Sequence, residues 1–151
     1  MGLDMRLMKR TYVENWDHML PEQKYVIDIK QNNQPTSIQE KRVSYIIETV
    51  ITWRKTNAIH NWFVQKIQNG VDDCKDYPLK TLALNELLRT INQTLKNPDR
   101  AHETLPTLEG FFFGSTEYDE YYYNKLKATK LALETLLKES GSTDYIYSSS
   151  W

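Results

Sequence analysis

Cysteine is almost absent from this chain: its 151 residues include Cys74 alone. An internal disulfide is excluded, and a lone thiol fits a reducing cytosol. Long apolar runs are missing too. No stretch approaches the roughly 20 residues that a membrane-spanning helix needs, and mean hydropathy is negative. Neither sign of charge dominates, since the formal net charge is −1; nothing here predicts a nonspecific binder of nucleic-acid backbone. The N-terminus, Met-Gly-Leu-Asp-Met-Arg-Leu-Met-Lys-Arg, has no basic segment followed by an apolar one, so no signal peptide is expected. Gly2 would suit myristoylation, but the sixth position is Arg6 rather than Ser or Thr. Catalytic signatures are also lacking. Gly110 to Gly114 does not continue into the Gly-Lys-Ser/Thr of a phosphate loop, and no His-Glu-x-x-His appears. There is no internal repeat.

Aromatics are what the chain has in quantity, with ten tyrosines and four tryptophans. At this length one domain with one core is expected. Residues 1 to 10 alternate, with Leu3, Met5 and Leu7 opposite Asp4, Arg6 and Met8, which predicts a half-buried strand. Residues 11 to 24 read as loop, with Pro21 suited to opening a helical turn. A second alternating run, Tyr25 to Lys30, ends in the turn chemistry of Gln31-Asn32-Asn33-Gln34-Pro35.

Lys41 to Trp53 admits two readings. Val43, Ile46, Ile47 and Val50 have helical spacing, yet the β-branched content favours a strand ending near Trp53. A helix is expected over 55–68, with Ala58, Ile59, Trp62, Phe63 and Ile67 on one face and Asn69-Gly70 as its stop. Residues 71–78 form a polar loop in this reading. A second helix over 80–96 buries Leu84, Leu87, Leu88, Ile91 and Leu95, and Asn97-Pro98 ends it. Phe111 to Phe113, between glycines, suits a short buried strand. Thr116 and Asp119 resemble a capping arrangement for a third helix, whose buried face runs from Tyr118 and Tyr122 to Leu137. The expected fold is α+β, a small antiparallel sheet packed against about three helices. Residues 1–138 would form the domain and 139–151, rich in serine, a flexible tail.

Three stretches are more specific than core packing requires: Trp53-Arg-Lys-x-Asn-x-Ile-His-x-Trp-Phe63, Asn69-Gly-Val-Asp-Asp-Cys74, and Leu105-Pro-Thr-x-x-Gly-Phe-Phe-Phe-Gly-Ser-Thr-Glu-Tyr-Asp-Glu-Tyr-Tyr122 within the run that ends at Tyr123. Together with the Met-Gly-Leu-Asp-Met start, they resemble a family of small phage- and prophage-encoded proteins, with similar chains in bacterial genomes. The resemblance covers about residues 1 to 137. Arg6 departs from it, since similar proteins tend to carry an aromatic there. The resemblance implies a phage setting and no activity, so it carries over no catalytic residue.

The candidate site is read from residue chemistry. The helix start near Lys55 would offer free N–H groups, with Arg54 and Lys55 beside them, to a phosphate or carboxylate. Trp53 could stack on a base, Asn57 read its edge and His60 donate to an oxygen. Ser115 and Thr116 open a second helix start, and Tyr118 and Tyr122 supply rings with hydroxyl handles. These nine residues form the expected site for a nucleotide-like small molecule, in keeping with a phage protein that sequesters a nucleotide-derived immune signal in the host cytoplasm. Two alternatives stand beside it. One is an interaction module whose tyrosine-rich surface meets a host protein or a second copy. The other is a metal-dependent nucleotide hydrolase drawing on Asp4, Glu117, Asp119, Glu120 and His60. In a further alternative, Arg54 and Lys55 pair with Glu117, Asp119 or Glu120 and bind no ligand. No catalytic residue, metal site or cofactor is assigned.

Overall fold

The computed structural model describes residues 2–151. It shows a small α+β fold: a four-stranded antiparallel sheet with helices packed on it. Strand β1 (Asp4–Tyr12) lies between β4 (Tyr45–Arg54) and β6 (Asp144–Ser150), and β5 (Tyr77–Lys80) pairs with β6, giving the order β4-β1-β6-β5. Two-residue strands β2 (Lys30–Gln31) and β3 (Gln34–Pro35) form a separate hairpin. Its turn residues Asn32 and Asn33 both have positive φ, the backbone that a tight two-residue hairpin demands and that asparagine tolerates. The helices are α1 (Asn57–Lys66), α2 (Thr81–Lys96), the short α3 (Ala101–Thr104) and α4 (Glu120–Leu136).

The alternation in β1 is realised as expected, with Met5 and Leu7 buried and Asp4 and Arg6 exposed. Met1, the first residue of the expected strand, lies outside the described residues. Cross-strand register carries the core over the sheet: Met5 faces Trp53, and Leu7 lies between Ile51 and Tyr147. Lys9, next along the same face, is buried and reaches Glu139 at 3.0 Å, an ion pair that satisfies its charge beneath the end of α4. From α1, Phe63 stacks flat on Tyr147, ring centroids 3.8 Å apart. Helices α2 and α4 pack on each other and bury Leu84, Leu87 and Ile91 with Leu126, Leu133 and Leu136. Asp119 caps α4, its side chain accepting from the Tyr122 N–H at 3.1 Å.

Several expectations change. Residues 41–53 resolve as strand, from Tyr45 onwards, because pairing with β1 uses the β-branched residues that a helix would disfavour. Trp53 therefore belongs to β4 and shares no helical stripe with Asn57 and His60. The run Tyr25 to Lys30 is irregular rather than a strand, and only Lys30 pairs, with Pro35 in the small hairpin. Phe111–Phe113 form a turn, not a buried strand: Phe113 is buried, while Phe111 and Phe112 are exposed. The largest correction concerns 139–151. Far from a flexible tail, residues 144–150 form β6, which fills the slot between β1 and β5 and buries Tyr145 and Tyr147 completely or nearly so. Among the described residues no helix is long and apolar enough to cross a membrane.

Candidate functional site

Residues 54–57 turn the chain from β4 into α1. Arg54, at the strand end, pairs with Asp4 across the sheet at 2.8 Å; among the described residues no ion pair joins it to the acids around the α4 start. Lys55 adopts a left-handed backbone, φ 50°. Its stem runs against two glycines: a Cβ on Gly2 would lie 3.1 Å from Lys55 Cε, and one on Gly114 3.1 Å from Lys55 Cβ. Asn57 then opens the helix and is spent on holding the 105–116 segment. Its Nδ2 donates to the carbonyls of Phe113 (3.1 Å) and Ser115 (2.9 Å), and its Oδ1 accepts from the Leu108 N–H (3.1 Å). One turn later Asn61 donates to the Pro106 carbonyl. The two asparagines clamp an irregular loop whose backbone polar groups would otherwise be buried without partners.

The tyrosines close the same junction from the α4 side. Buried Tyr122 donates to the Leu105 carbonyl at 2.6 Å, and its hydroxyl is held above its ordinary pKa chiefly by burial. Tyr118 accepts from the Thr107 N–H. Tyr121 donates to the Arg54 carbonyl. Ser115 caps the Glu117 N–H, and the Thr116 carbonyl accepts from Thr107 Oγ1.

The nine expected residues are thus divided. Lys55, Asn57, Ser115 and Tyr122 line a common slot with Tyr121 and Lys125, and the open room in it is about 20 Å³. That is space for about one water molecule. Arg54, Thr116 and Tyr118 do not line it. Trp53 is buried with its indole N–H on Thr129 Oγ1 at 2.8 Å, a core contact rather than a stacking platform. His60 is fully buried and points away from the slot.

His60 instead joins an array that the sequence did not bring into view. Its Nδ1 lies 2.6 Å from the Tyr147 hydroxyl and its Nε2 lies 2.8 Å from Asp72 Oδ2. The other Asp72 oxygen accepts from the Trp151 indole N–H at 3.0 Å. Burial holds the imidazole below its ordinary pKa, with Asp72 opposing only in part, so the ring is neutral near pH 7. Burial also pushes the Tyr147 hydroxyl well above its usual value. The network then has one consistent protonation: Nε2–H donates to Asp72, and Tyr147 O–H donates to Nδ1. Within the array, Asp72 and Trp151 face outward, onto a cavity of about 400 Å³ that Phe111, Phe113 and Glu109 also line.

Asp72, Tyr147 and Trp151 are the members that sequence reasoning missed. Their separations from His60 in the chain, 12 and 87 residues for the first two, hide the cluster from any spacing rule. Among the described residues no three His, Cys, Asp or Glu side chains gather where a metal ion would be held. No protein-family model matches the chain, and neither a curated protein nor a solved structure matches it.

Proposed function

We propose that this protein is an interaction module that self-associates through the free edge of β4 and the arm of residues 13–44 beside it. One observation carries the reading. Of the sixteen large apolar side chains exposed among the described residues, nine lie between Tyr12 and Ile47: Tyr12, Trp16, Leu20, Tyr25, Val26, Ile38, Tyr45, Ile46 and Ile47. That segment is about a quarter of the chain, so exposed apolar surface is concentrated there instead of being scattered singly.

The edge itself is suited to pairing. β4 stands at the end of the sheet, with β1 on one side only. From Tyr45 to Thr49 it is exposed on both faces. This half of the strand contains no lysine or proline, the residues that commonly blunt an edge. Two copies pairing antiparallel around Ile47 would set Glu48 of each across from Ile46 of the other, keeping like charges apart. The tyrosines around residue 121 are the weaker surface, because Tyr122 is buried and Tyr118 is engaged with Thr107. Nucleotide sequestration at the α1 start ranks below self-association, since the slot there would have to open before a base could enter.

Sedimentation velocity over a concentration series is the test. The wild-type protein is expected to dimerise, and Ile47→Lys to sediment as a monomer with an unchanged circular dichroism spectrum. A wild-type protein that stays monomeric at every concentration overturns the proposal.

A further inference from the structure

The cavity of about 400 Å³ beside the buried histidine is built from three aromatic rings and two carboxylates: Phe111, Phe113 and Trp151 with Asp72 and Glu109. Among the described residues no lysine or arginine lines it. We propose that this cavity binds a small organic cation of the alkylammonium type, its positive charge set between the aromatic faces and the Asp72 and Glu109 carboxylates.

Three features of the cavity support the assignment. Two of the rings are positioned by each other: Phe113 meets Trp151 edge to face, with centroids 5.9 Å apart, while the more exposed Phe111 packs on Phe112. Gly110 keeps Phe113 in place by having no side chain, since a Cβ there would fall 2.5 Å from the Phe113 ring. Between Phe111 and Phe113, Phe112 is held at φ 59°, a left-handed backbone that a bulky residue adopts only where other contacts offset its strain. The charge is the second feature. Asp72 is held by two neutral donors, the Trp151 indole and the neutral His60 imidazole. Both orient the carboxylate without cancelling its charge. Glu109 adds a second, exposed negative group at the rim.

The third feature is what the site does not offer. Two carboxylates and no third ligand make a poor cage for a bare divalent ion. Aromatic faces, by contrast, attract diffuse cations whose hydration is weak, with tetraalkylammonium groups as the best fit. A volume of this size lies within the range of small-molecule sites.

The test uses tetramethylammonium chloride on the 151-residue protein, followed through the indole N–H resonance of Trp151. Sodium chloride at matched ionic strength and neutral 3,3-dimethyl-1-butanol, which has the same shape without the charge, are the comparisons. Saturable shifts with tetramethylammonium, and none with sodium, support the site. Phe111→Ala and Glu109→Gln alter exposed residues and leave the buried array intact. Phe111→Ala is expected to weaken tetramethylammonium binding at least about threefold, and Glu109→Gln to weaken it as well. A peptide carrying trimethyllysine, titrated in parallel, distinguishes a protein side chain from a free amine as the source of the cation. Equal binding of the neutral alcohol, absence of a saturable shift, or unchanged affinity in both variants would each overturn the proposal.

Discussion

Replacing Tyr147 by Phe removes one oxygen and tests the protonation pattern of the buried array. The Tyr147 hydroxyl lies 2.6 Å from His60 Nδ1, and both side chains are fully buried. The substitution keeps the ring and its flat stack on Phe63, so no sizeable cavity opens. What changes is that the Nδ1 lone pair loses its donor in a dry site, an unmet acceptor that costs about 1–3 kcal/mol. For a chain of this size that corresponds to a fall in Tm of about 2–4 °C per kcal/mol. Urea titration at neutral pH is the assay, and the midpoint should drop at constant m. Tyr121→Phe serves as control: its hydroxyl bonds Arg54 O at the surface, so its effect should stay within about 0.5 kcal/mol.

The pH dependence sharpens this test. Burial lowers the His60 pKa in the folded protein, so the unfolded chain takes up the proton more readily. Wild-type stability must therefore decline as pH falls below the ordinary value of 6.5 towards the lower folded value. In Tyr147→Phe neither the lone pair of the neutral ring nor the Nδ1–H of the imidazolium has a partner, whereas the Tyr147 hydroxyl can serve either. The loss caused by the substitution should therefore persist at lower pH, and the variant should keep the wild-type direction of the pH dependence. A loss below about 0.5 kcal/mol at neutral pH would refute donation from Tyr147 to Nδ1.

Two further outcomes follow from the same geometry. Asn57→Ala removes three hydrogen bonds to Leu108, Phe113 and Ser115 and should cost about 2–4 kcal/mol, with hydrogen exchange at the Leu108 amide accelerating more than at α2 amides. Truncation after Lys138 removes β6 from between β1 and β5 and should abolish cooperative unfolding followed by circular dichroism; a truncated chain that still melts cooperatively would show that the sheet does not need its central strand.

The parts legible in the sequence are those that carry a clear period. β1 announces itself through Leu3, Met5 and Leu7, and α2 through Leu84, Leu87 and Ile91, because each is a regular element that buries these residues along one face. β6 has its own alternation in Tyr145 and Tyr147, but the serines around it resemble a linker, and nothing in their spacing reveals that Ser148 and Ser149 pair with Arg6 and Met5 of β1 and are buried as well. Phe111–Phe113 misleads in the opposite sense. Three consecutive phenylalanines suggest burial, yet Gly110 and the positive φ of Phe112 bend the segment so that only Phe113 enters the core. At the candidate site, local chemistry identified Asn57 and His60 as unusual for a helix face. Their partners lie in the 105–116 loop, the 69–74 loop and β6, and such distant contacts leave no trace in spacing.

Strand β4 shows how one element serves both packing and exposure. Its C-terminal part alternates against β1, with Ile51 opposite Leu7 and Trp53 opposite Met5, and buries both side chains. A bulge then breaks the register: Leu7 pairs with Ile51 but Met8 pairs with Thr49, leaving Val50 unmatched. A bulge bends and twists the strand that carries it. Beyond it, Tyr45 to Thr49 remain hydrogen-bonded to β1 while their side chains stay exposed. The outward face of this half is ordered by β1 rather than by the helices, through the Tyr12–Tyr45 ring contact at 5.1 Å and Arg10 over the Tyr45 ring. A surface held by a strand ladder and ring contacts is already organised before it meets another chain, which lowers the ordering cost of association. The same two isoleucines would be difficult to account for as packing residues, since Ile46 and Ile47 point to opposite faces and both are exposed. Pairing at the β4 edge accounts for both, because a strand added there would extend the two faces of the sheet at once.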